Sequence, residues 1–356
     1  MITLVFNVGS SSVKCAVYEN KNLVFSEHIQ NTHSKEFRER AVKYILIELA
    51  QKRIKPNVIG HRIVHGGMIS ETSLITPKVR KALNKVANLA PLHDIPQLEV
   101  VDICAKLFDV KQYAVFDTAF HQTIPQVNHR YAIPEKYYKK GIRKYGFHGI
   151  SHEFISQGFR GNVITCHLGS GCSICAIQKG KSMQTSMGFT PLDGLIMTTR
   201  SGSIDPGVLF YLKTNEGLSV DEINTILNKE SGLLAIGGAN DIRILLRSKE
   251  KRAKLAIDMY IERIVQTIGS HVVALGGVDT LIFSAGTGEG SAYIRDTICK
   301  RLSVFGTTID SKKNNASSID KREVSTKKSA VSVWVVPTNE ELAIVEKIHF
   351  KSKGKF

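Results

Sequence analysis

Along the whole chain, strand-length apolar runs alternate with longer stretches of helical periodicity. The most telling run is VFNVGSSSVKCAVYENK, residues 5 to 21, where two apolar blocks flank a Gly-Ser turn. ITCHLGSGCSICAIQKGK, residues 164 to 181, repeats it. Setting Gly9 on Gly169 puts Ser10 on Ser170, Cys15-Ala16-Val17 on Cys175-Ala176-Ile177 and Lys21 on Lys181 without a gap. Each copy predicts a β-hairpin whose turn leaves backbone N–H groups and small hydroxyls open to an anion, phosphate in particular. Two such hairpins, one per half, predict a duplicated fold that holds a polyphosphate.

The remaining pattern fills in the elements. Residues 2 to 8 and 13 to 18 are expected as strands around the first turn, with a third at 22 to 29. Residues 36 to 53 place Val42, Ile45, Leu46 and Leu49 on one helical face. VIGHRIVHGG is a short strand ending in glycines and studded with His61, Arg62 and His65, and polar groups at such ends commonly belong to sites. Residues 77 to 109 are helical, broken by APLHDIPQ, and QYAVFDTAFHQ is a strand that delivers Asp117 at its C-terminal end, where ligands bind in open α/β sheets. SMGFTPLDGLIMTTRSGSIDPGVLFYL is too apolar for a surface linker and predicts a structured loop lining a cleft. Helices are expected at 219 to 229 and 249 to 274, the latter burying Leu255, Ile257, Met259, Ile261, Ile264, Val265 and Ile268. VDTLIFSAGTGEGS then reads as strand, Gly-rich turn and helix start, and 310 to 330 as a solvated loop or disordered excursion. WVVPTNEELAIVEKIHF closes as strand, turn and helix, with Thr338 or Asn339 as N-cap.

At 356 residues and 42% hydrophobic content the chain is long enough for two cores. The net charge of +16 would suit nucleic acid, anionic lipid or anionic small substrates. The basic residues are scattered, with denser patches at 136 to 144, 247 to 254 and 312 to 328, and lack the interleaved aromatics of a stacking platform, so no nucleic-acid partner is expected. MITLVFNVG lacks a basic leader region, and no run approaches the roughly 18 apolar residues of a membrane span, so a cytoplasmic protein without a membrane partner is expected. Cys172-Ser-Ile-Cys175, with Cys166 and His167 upstream, looks like a zinc or redox site, yet no second CxxC completes it, and buried reduced thiols are expected instead.

FNVGSSSVK, GHRIVHGG, LAPLHDIP, VFDTAFHQTIP, YGFHGISH, ITCHLGSG, SMGFTPLDGL, TTRSGSIDP and VPTNEEL occur in the order in which the acetate kinase family carries them, and the chain resembles that family over nearly its whole length. The resemblance implies an α/β fold of the duplicated actin-like (ribonuclease H-like) type with ATP in an interdomain cleft. One domain would hold residues 1–119 and 342–356, the other 120–341. It implies reversible in-line phosphoryl transfer from ATP to acetate, giving acetyl phosphate and ADP, with Mg²⁺ (alternatively Mn²⁺) as the ion and a homodimer as the assembly. A carboxylic acid with a pKa of about 4 to 5 is already ionised at neutral pH and needs no general base. It does need positive groups to hold it in line with a triphosphate.

By resemblance, Arg62 and Arg200 supply those forks, and His148 and Arg200 stabilise the transferring phosphoryl group. Asp117 is the required aspartate, orienting the metal shell or an arginine, and Asn7 and Glu340 match the magnesium positions. His93 and His167 match positions near the phosphates, and Val64, Leu92, Phe147 and Pro191 would surround the acetate methyl beside Arg62. Nucleotide-binding positions carry over to Lys14, His167, Leu168, Gly169, Ser170, Gly171, Asp241, Ile242, Arg243, Gly286, Thr287, Gly288, Glu289 and Gly290. His61, His65, His121 and His152 are read as structural.

The chain departs from the family at Ser170 (usually Asn), Thr198 (Gly), Ser203 (Asp), Asp94-Ile95 (Asn-Pro) and Gly290 (Asn). AIGGANDIR stands for the family's Gly-Ile-Ser-Gly block, one residue shorter before Asp241, and several tens of residues are lacking, mostly between Lys14 and Gly60. Two other readings stay open: a kinase for propionate or another short acid, and a degenerate nucleotide-binding regulator.

Overall fold

The computed structural model describes residues 1–9, 12–87, 91–318 and 320–352, with the side chains of 91 and 92 excepted. Its strands are β1 (Ile2–Val8), β2 (Ser12–Glu19), β3 (Asn22–Gln30), β4 (Val58–Ile63), β5 (Ser73–Leu74), β6 (Lys111–Phe116), β7 (Asn162–Leu168), β8 (Cys172–Gln178), β9 (Lys181–Thr185), β10 (Thr280–Ser284), β11 (Arg322–Glu323) and β12 (Ser332–Val335). The helices are α1 (Lys35–Gln51), α2 (Pro77–Val86), α3 (Pro91–Leu107), α4 (Gln126–His129), α5 (Glu135–Lys139), α6 (Gly149–Ser156), α7 (Pro206–Thr214), α8 (Val220–Lys229), α9 (Gly232–Gly237), α10 (Ile242–Arg247), α11 (Lys251–Leu275), α12 (Ala285–Gly290), α13 (Ala292–Arg301), α14 (Ser311–Asn315) and α15 (Glu340–Ser352).

The chain divides into two compact units. The first comprises residues 1–122, 147–154 and 339–356, and the second 123–146 and 155–338. Each holds one six-stranded sheet, ordered β3-β2-β1-β4-β6-β5 in the first and β11-β12-β10-β7-β8-β9 in the second. Read from the opposite edge, the second order matches the first strand for strand. β1 with β2 and β7 with β8 are antiparallel hairpins, β4 and β10 lie parallel to β1 and β7, and a two-residue antiparallel strand sits at one edge of each sheet. The duplication read from the two Gly-Ser repeats is thus present in the backbone; Ser10 itself lies outside the described residues.

In the first unit, β1 is buried on both faces, which is why it reads as a near-continuous apolar run. Leu4, Phe6 and Val8 pack with Val42, Ile45 and Leu49 of α1 and with Val100, Ile103 and Cys104 of α3. On the opposite face, Val5 meets Ile344 and Ile348 of α15 and Ile150 of α6. The approach of α15 is close. A Cβ on Gly60 of β4 would stand 2.6 Å from Ile348 Cδ1 and 2.7 Å from Ile344 Cγ2, so only glycine lets the helix lie this near the sheet. Asn339 caps α15, its Oδ1 accepting from Leu342 N at 2.9 Å.

Three expectations differ from what is observed. The 77 to 109 stretch is two helices, α2 ending at Val86 and α3 beginning at Pro91, but APLHDIPQ is not a break throughout: from Pro91 on it is helical, and Pro96 lies inside α3 in its second turn. The helix expected at 249 to 274 is α11, but Leu255 and Met259 are exposed, and Ala253, Ala256 and Tyr260 take the buried stripe beside Ile257, Ile261, Ile264 and Ile268. Sequence periodicity favoured large apolar residues, whereas close packing on Gly237 of α9 admits the small Ala256. Finally, 310 to 330 is not a solvated loop throughout. Asn314, Val324 and Ser325 are buried, and β11 pairs with β12, because Val324 supplies an apolar anchor and Asn314 accepts from the buried Arg295 at 2.7 Å.

Candidate active site

In the first unit the sheet brings together residues that are distant in sequence. Asn7 sits near the end of β1, Arg62 near the end of β4, Asp117 just past β6, and Glu340 and Glu341 in the first turn of α15. Arg62 donates to Asp117 through Nε (3.1 Å to Oδ1) and Nη2 (2.7 Å to Oδ2), a bidentate fork, while its Nη1 reaches Asn7 Oδ1 (3.1 Å) and Glu340 Oε2 (2.8 Å). Asn7 Nδ2 in turn donates to Glu340 Oε2 (3.1 Å) and Glu341 Oε1 (3.2 Å), and Lys14 pairs with Glu341 at 2.8 Å. β1–β2 register places Asn7 opposite Lys14, so one hairpin supplies both.

Burial works against the charges of Asp117, Arg62 and Glu341. It raises the Asp117 carboxyl, opposed by the Arg62 guanidinium and by the backbone N–H of His148. Burial alone would lower the Arg62 pKa, but Asp117, Glu340 and Glu341 outweigh it and drive it upward. Glu341 likewise ends below its ordinary value because Lys14 and Asn7 offset its desolvation. Removing either partner of the Arg62–Asp117 pair would leave an uncompensated buried charge, a cost of about 3–5 kcal/mol.

The segment after Tyr145 is fitted to Asp117. Gly149 N donates to the Asp117 carbonyl at 2.9 Å, and a Cβ on Gly149 would lie 2.2 Å from that oxygen. This holds Phe147 and His148 beside the aspartate, with His148 at a φ of 55°. Phe147 is buried edge-on to His65 at 5.7 Å, and Val64 is buried directly after β4. Leu92 lies on α3 with its side chain outside the described residues, and His93 follows it. The histidines read as structural are buried: His61 bonds Gln112 at 2.6 Å and stacks on Phe6, while His121 bonds the Phe147 carbonyl at 2.9 Å.

In the second unit a cleft of about 460 Å³ is lined by Gly169 and Ser170 of the β7–β8 turn, Asp241, Ile242 and Arg243 at the start of α10, and Gly286 and Thr287 of α12. A recess of about 230 Å³ shares Ile242, Arg243, Gly286 and Thr287 and adds Gly290. His167 and Leu168 end β7, Gly171 closes the turn by accepting from Gly169 N, and Gly288 is buried within α12, facing Cys166 and Leu168 of β7. Glu289 accepts from Ala285 N (2.7 Å) and Thr338 N (3.1 Å), which ties α12 to the segment leading into α15. Asp241 caps α10 and is gripped by Arg243, which pulls its carboxyl down to about 2.

Sequence reasoning missed Tyr260, Leu233 and Asn240 in this cleft. Tyr260 carried a signal: with His271 it is one of two large polar groups on the otherwise apolar stripe of α11, and its hydroxyl meets Cys172 Sγ at 3.4 Å. Two departures from the family touch, Thr198 Oγ1 donating to the Ser170 carbonyl at 3.2 Å. Arg200 stands on the same loop and donates to the Pro191 carbonyl at 3.3 Å. Backbone bonds fix that loop, Leu233 N to Met197 O and Ser231 N to Thr199 O, and Gly232 permits it, since a Cβ there would come within 2.2 Å of Met197 O. Burial lowers the Arg200 pKa, slightly countered by Cys172.

Two copies of one mixed sheet, each opened by a Gly-Ser hairpin, define the duplicated actin-like class of phosphotransferase folds. The chain belongs within it to the acetokinase family, whose sequence model matches residues 2–346. It is similar to the acetate kinase of Rickettsia akari (40% identical, covering 98% of both chains). Among solved structures it resembles the acetate kinase of Entamoeba histolytica (34% identical, TM-score 0.90, 100% of each chain) and a propionate kinase of Francisella tularensis (38%, TM-score 0.87, 97% of this chain and 98% of that one).

The CxxC motif is no metal site. Cys172 and Cys175 are an odd number of positions apart on β8 and so face opposite sides of the sheet, and no group of three or more His, Cys, Asp or Glu among the described residues could hold an ion. All six cysteines are buried thiols, and burial raises their pKa values, to about 11 for Cys172 and about 12 for Cys15, Cys175 and Cys299. Native protein at neutral pH is therefore expected to react with a thiol reagent at least about tenfold more slowly than denatured protein, which should titrate all six. Rapid labelling of Cys172 or Cys175 in the native state, or stoichiometric zinc, would count against this arrangement.

Proposed function

We propose that this chain transfers the γ-phosphoryl group of ATP to the carboxylate of acetate, reversibly and in line, forming acetyl phosphate and ADP. The observation that carries the reading is the buried cluster of Arg62, Asp117, Asn7 and Glu340. Both Asp117 oxygens are taken up by the Arg62 fork, which suits an aspartate that orients an arginine and not one that abstracts a proton. An acetate nucleophile, already ionised, asks for no base. Arg62 and Arg200 would align the carboxylate with the phosphoryl group and neutralise charge on it, with His148 as a further donor. The cleft lined by Gly169, Ser170, Asp241, Arg243 and Thr287 would take the nucleotide, and Lys14 and His167 would border its phosphates.

The donor set fits Mg²⁺. Asn7 and Glu340 offer only oxygen ligands on a cation-poor cluster, where Asp117, Glu340 and Glu341 face Arg62 and Lys14, three carboxylates against two cations. Mg²⁺ typically takes one or two carboxylates and completes its shell with water and substrate phosphates. Asn7 and Glu340 would hold it, and its charge would offset that of the triphosphate; the protein's own part is to place those two side chains. Mn²⁺ shares this chemistry.

Propionate is the second reading, favoured by the similarity to a propionate kinase. Val64 and Phe147, both buried in the first unit, would decide between the acids. No helix among the described residues is long and apolar enough to cross a membrane, and a cytoplasmic location is part of the proposal. A homodimer is proposed as well: α7 buries none of its side chains although Val208, Phe210 and Tyr211 are apolar, a face that suits a second copy.

Four measurements bear on this reading. Supplying ATP, Mg²⁺ and a series of short acids while trapping with hydroxylamine should yield a hydroxamate, and none with any acid would end it. Arg62→Ala and Arg200→Ala should each lower turnover by on the order of 10³, with Arg62→Ala also losing stability, so kinetics belong beside a melting curve; near-normal turnover removes that arginine from the mechanism. Val64→Ala should relax a roughly tenfold preference for acetate over propionate, mainly through the propionate KM; an unchanged ratio places Val64 outside the acyl pocket. Sedimentation should find a dimer that Phe210→Glu converts to monomer, and a monomeric parent contradicts the assembly.

A further inference from the structure

The four residues after β4 have their backbone amides captured by side chains, one after another. Val64 N donates to Gln97 Oε1 (2.9 Å), His65 N to Asp94 Oδ1 (3.0 Å), Gly66 N to Thr118 Oγ1 (3.1 Å) and Gly67 N to His65 Nδ1 (3.0 Å). Gln97 Nε2 then reaches the Val8 carbonyl at 3.0 Å, which ties the loop back to β1. The Arg62 fork and the Val64 wall are set by this cradle, since they stand directly before it and within it.

Asp94 is the anomalous member. It is 0% exposed, its Oδ2 has no hydrogen-bond partner, and no ion pair among the described residues involves it. A buried carboxylate with a bare oxygen is costly, whereas a neutral carboxyl is far less so. The titratable groups that face it do not favour a charge. Asp117, from the end of β6, adds repulsion, and His65, from the loop after β4, is pushed down to about 4 by burial and is neutral near pH 7. The amides of Val64 and His65 do favour the anion, but burial outweighs them and raises the carboxyl to about 8.

We propose that Asp94 is a positioning residue that works as a neutral acid, holding the 64–67 loop and hence Arg62 and Val64 in place, and that its ionisation loosens the loop. Only the consequence for turnover rests on the acetate reading; the protonation state does not. In the unfolded chain Asp94 ionises near its ordinary value of about 4, and in the folded protein near 8. Across that window the unfolded state binds fewer protons, so the contribution of Asp94 to stability is present in acid and falls as pH rises, with the loss complete above about 8.

Asp94→Asn keeps the acceptor for His65 N and cannot ionise. Melting temperatures of parent and variant between about pH 5 and pH 9 should diverge, the variant gaining more than about 5 °C on the parent as pH rises. Parallel curves overturn the proposal. If the variant does not fold, the infrared spectrum of the parent labelled with ¹³C-aspartate decides: a protonated carboxyl band should be present at about pH 6 and vanish by about pH 9, and its absence at the lower pH overturns the proposal. Kinetics separate the second half. Parent kcat/KM for acetate should fall at least fivefold from about pH 7 to about pH 9 while the variant's profile lacks that limb; diverging melting curves with identical pH profiles would make Asp94 structural only. Absence of turnover with acetate in the parent at every pH would count against the acetate reading, and the melting and infrared results would still decide whether Asp94 is neutral.

Discussion

A half-buried guanidinium held by a buried carboxylate sets the terms for the first unit. Arg62 cannot sit at the end of β4 unless Asp117 meets it, and Asp117 cannot lie at 1% exposure unless Arg62 and the His148 amide meet it in turn. The pair is weak evidence for stability, since desolvation consumes most of the Coulombic gain. What it provides is position. Three strands and α15 must be in register before the fork, Asn7 and Glu340 converge, so the charges are fixed before any substrate arrives.

Duplication explains how one hairpin can carry two chemistries. The alignment that sets Gly9 on Gly169 also sets Asn7 on His167, the same strand position in each sheet. In the first unit that position faces carboxylates from α15 and holds an amide; in the second it ends beside a Gly-Ser turn that lines a cleft. The sheet is constant and the helix that follows it differs, which is how a shared fold separates its sites.

Much of this was legible in the chain because it depends on local chemistry. The Gly-Ser hairpins, the delivery of Asp117 by an apolar strand and the Asn339 cap all follow from short patterns. The pairing of Asp117 with Arg62 was narrowed to two options, a metal shell or an arginine, and only the register of β4 against β6 puts the two side by side. Glu341 was invisible, and Tyr260 showed only as a polar residue on an apolar stripe, because their roles come from neighbours more than 80 positions away, Lys14 and Cys172. The mistaken stripe on α11 shows the limit of periodicity, which ranks residues by hydrophobicity while a tight helix contact ranks them by size.

The approach of α15 to Gly60 has a consequence for how the polypeptide acquires its shape. Val5 and Gly60 are made early, yet the Ile344 and Ile348 side chains that cover them come after the entire second sheet. During synthesis, at roughly 5–20 residues per second, one face of the first sheet therefore has only α6 to cover it until residues 155–338 have been translated and α15 follows. The amino-terminal half of this protein is the last to be finished, and the interval in which it is open to aggregation or to chaperones is written into the order of its elements.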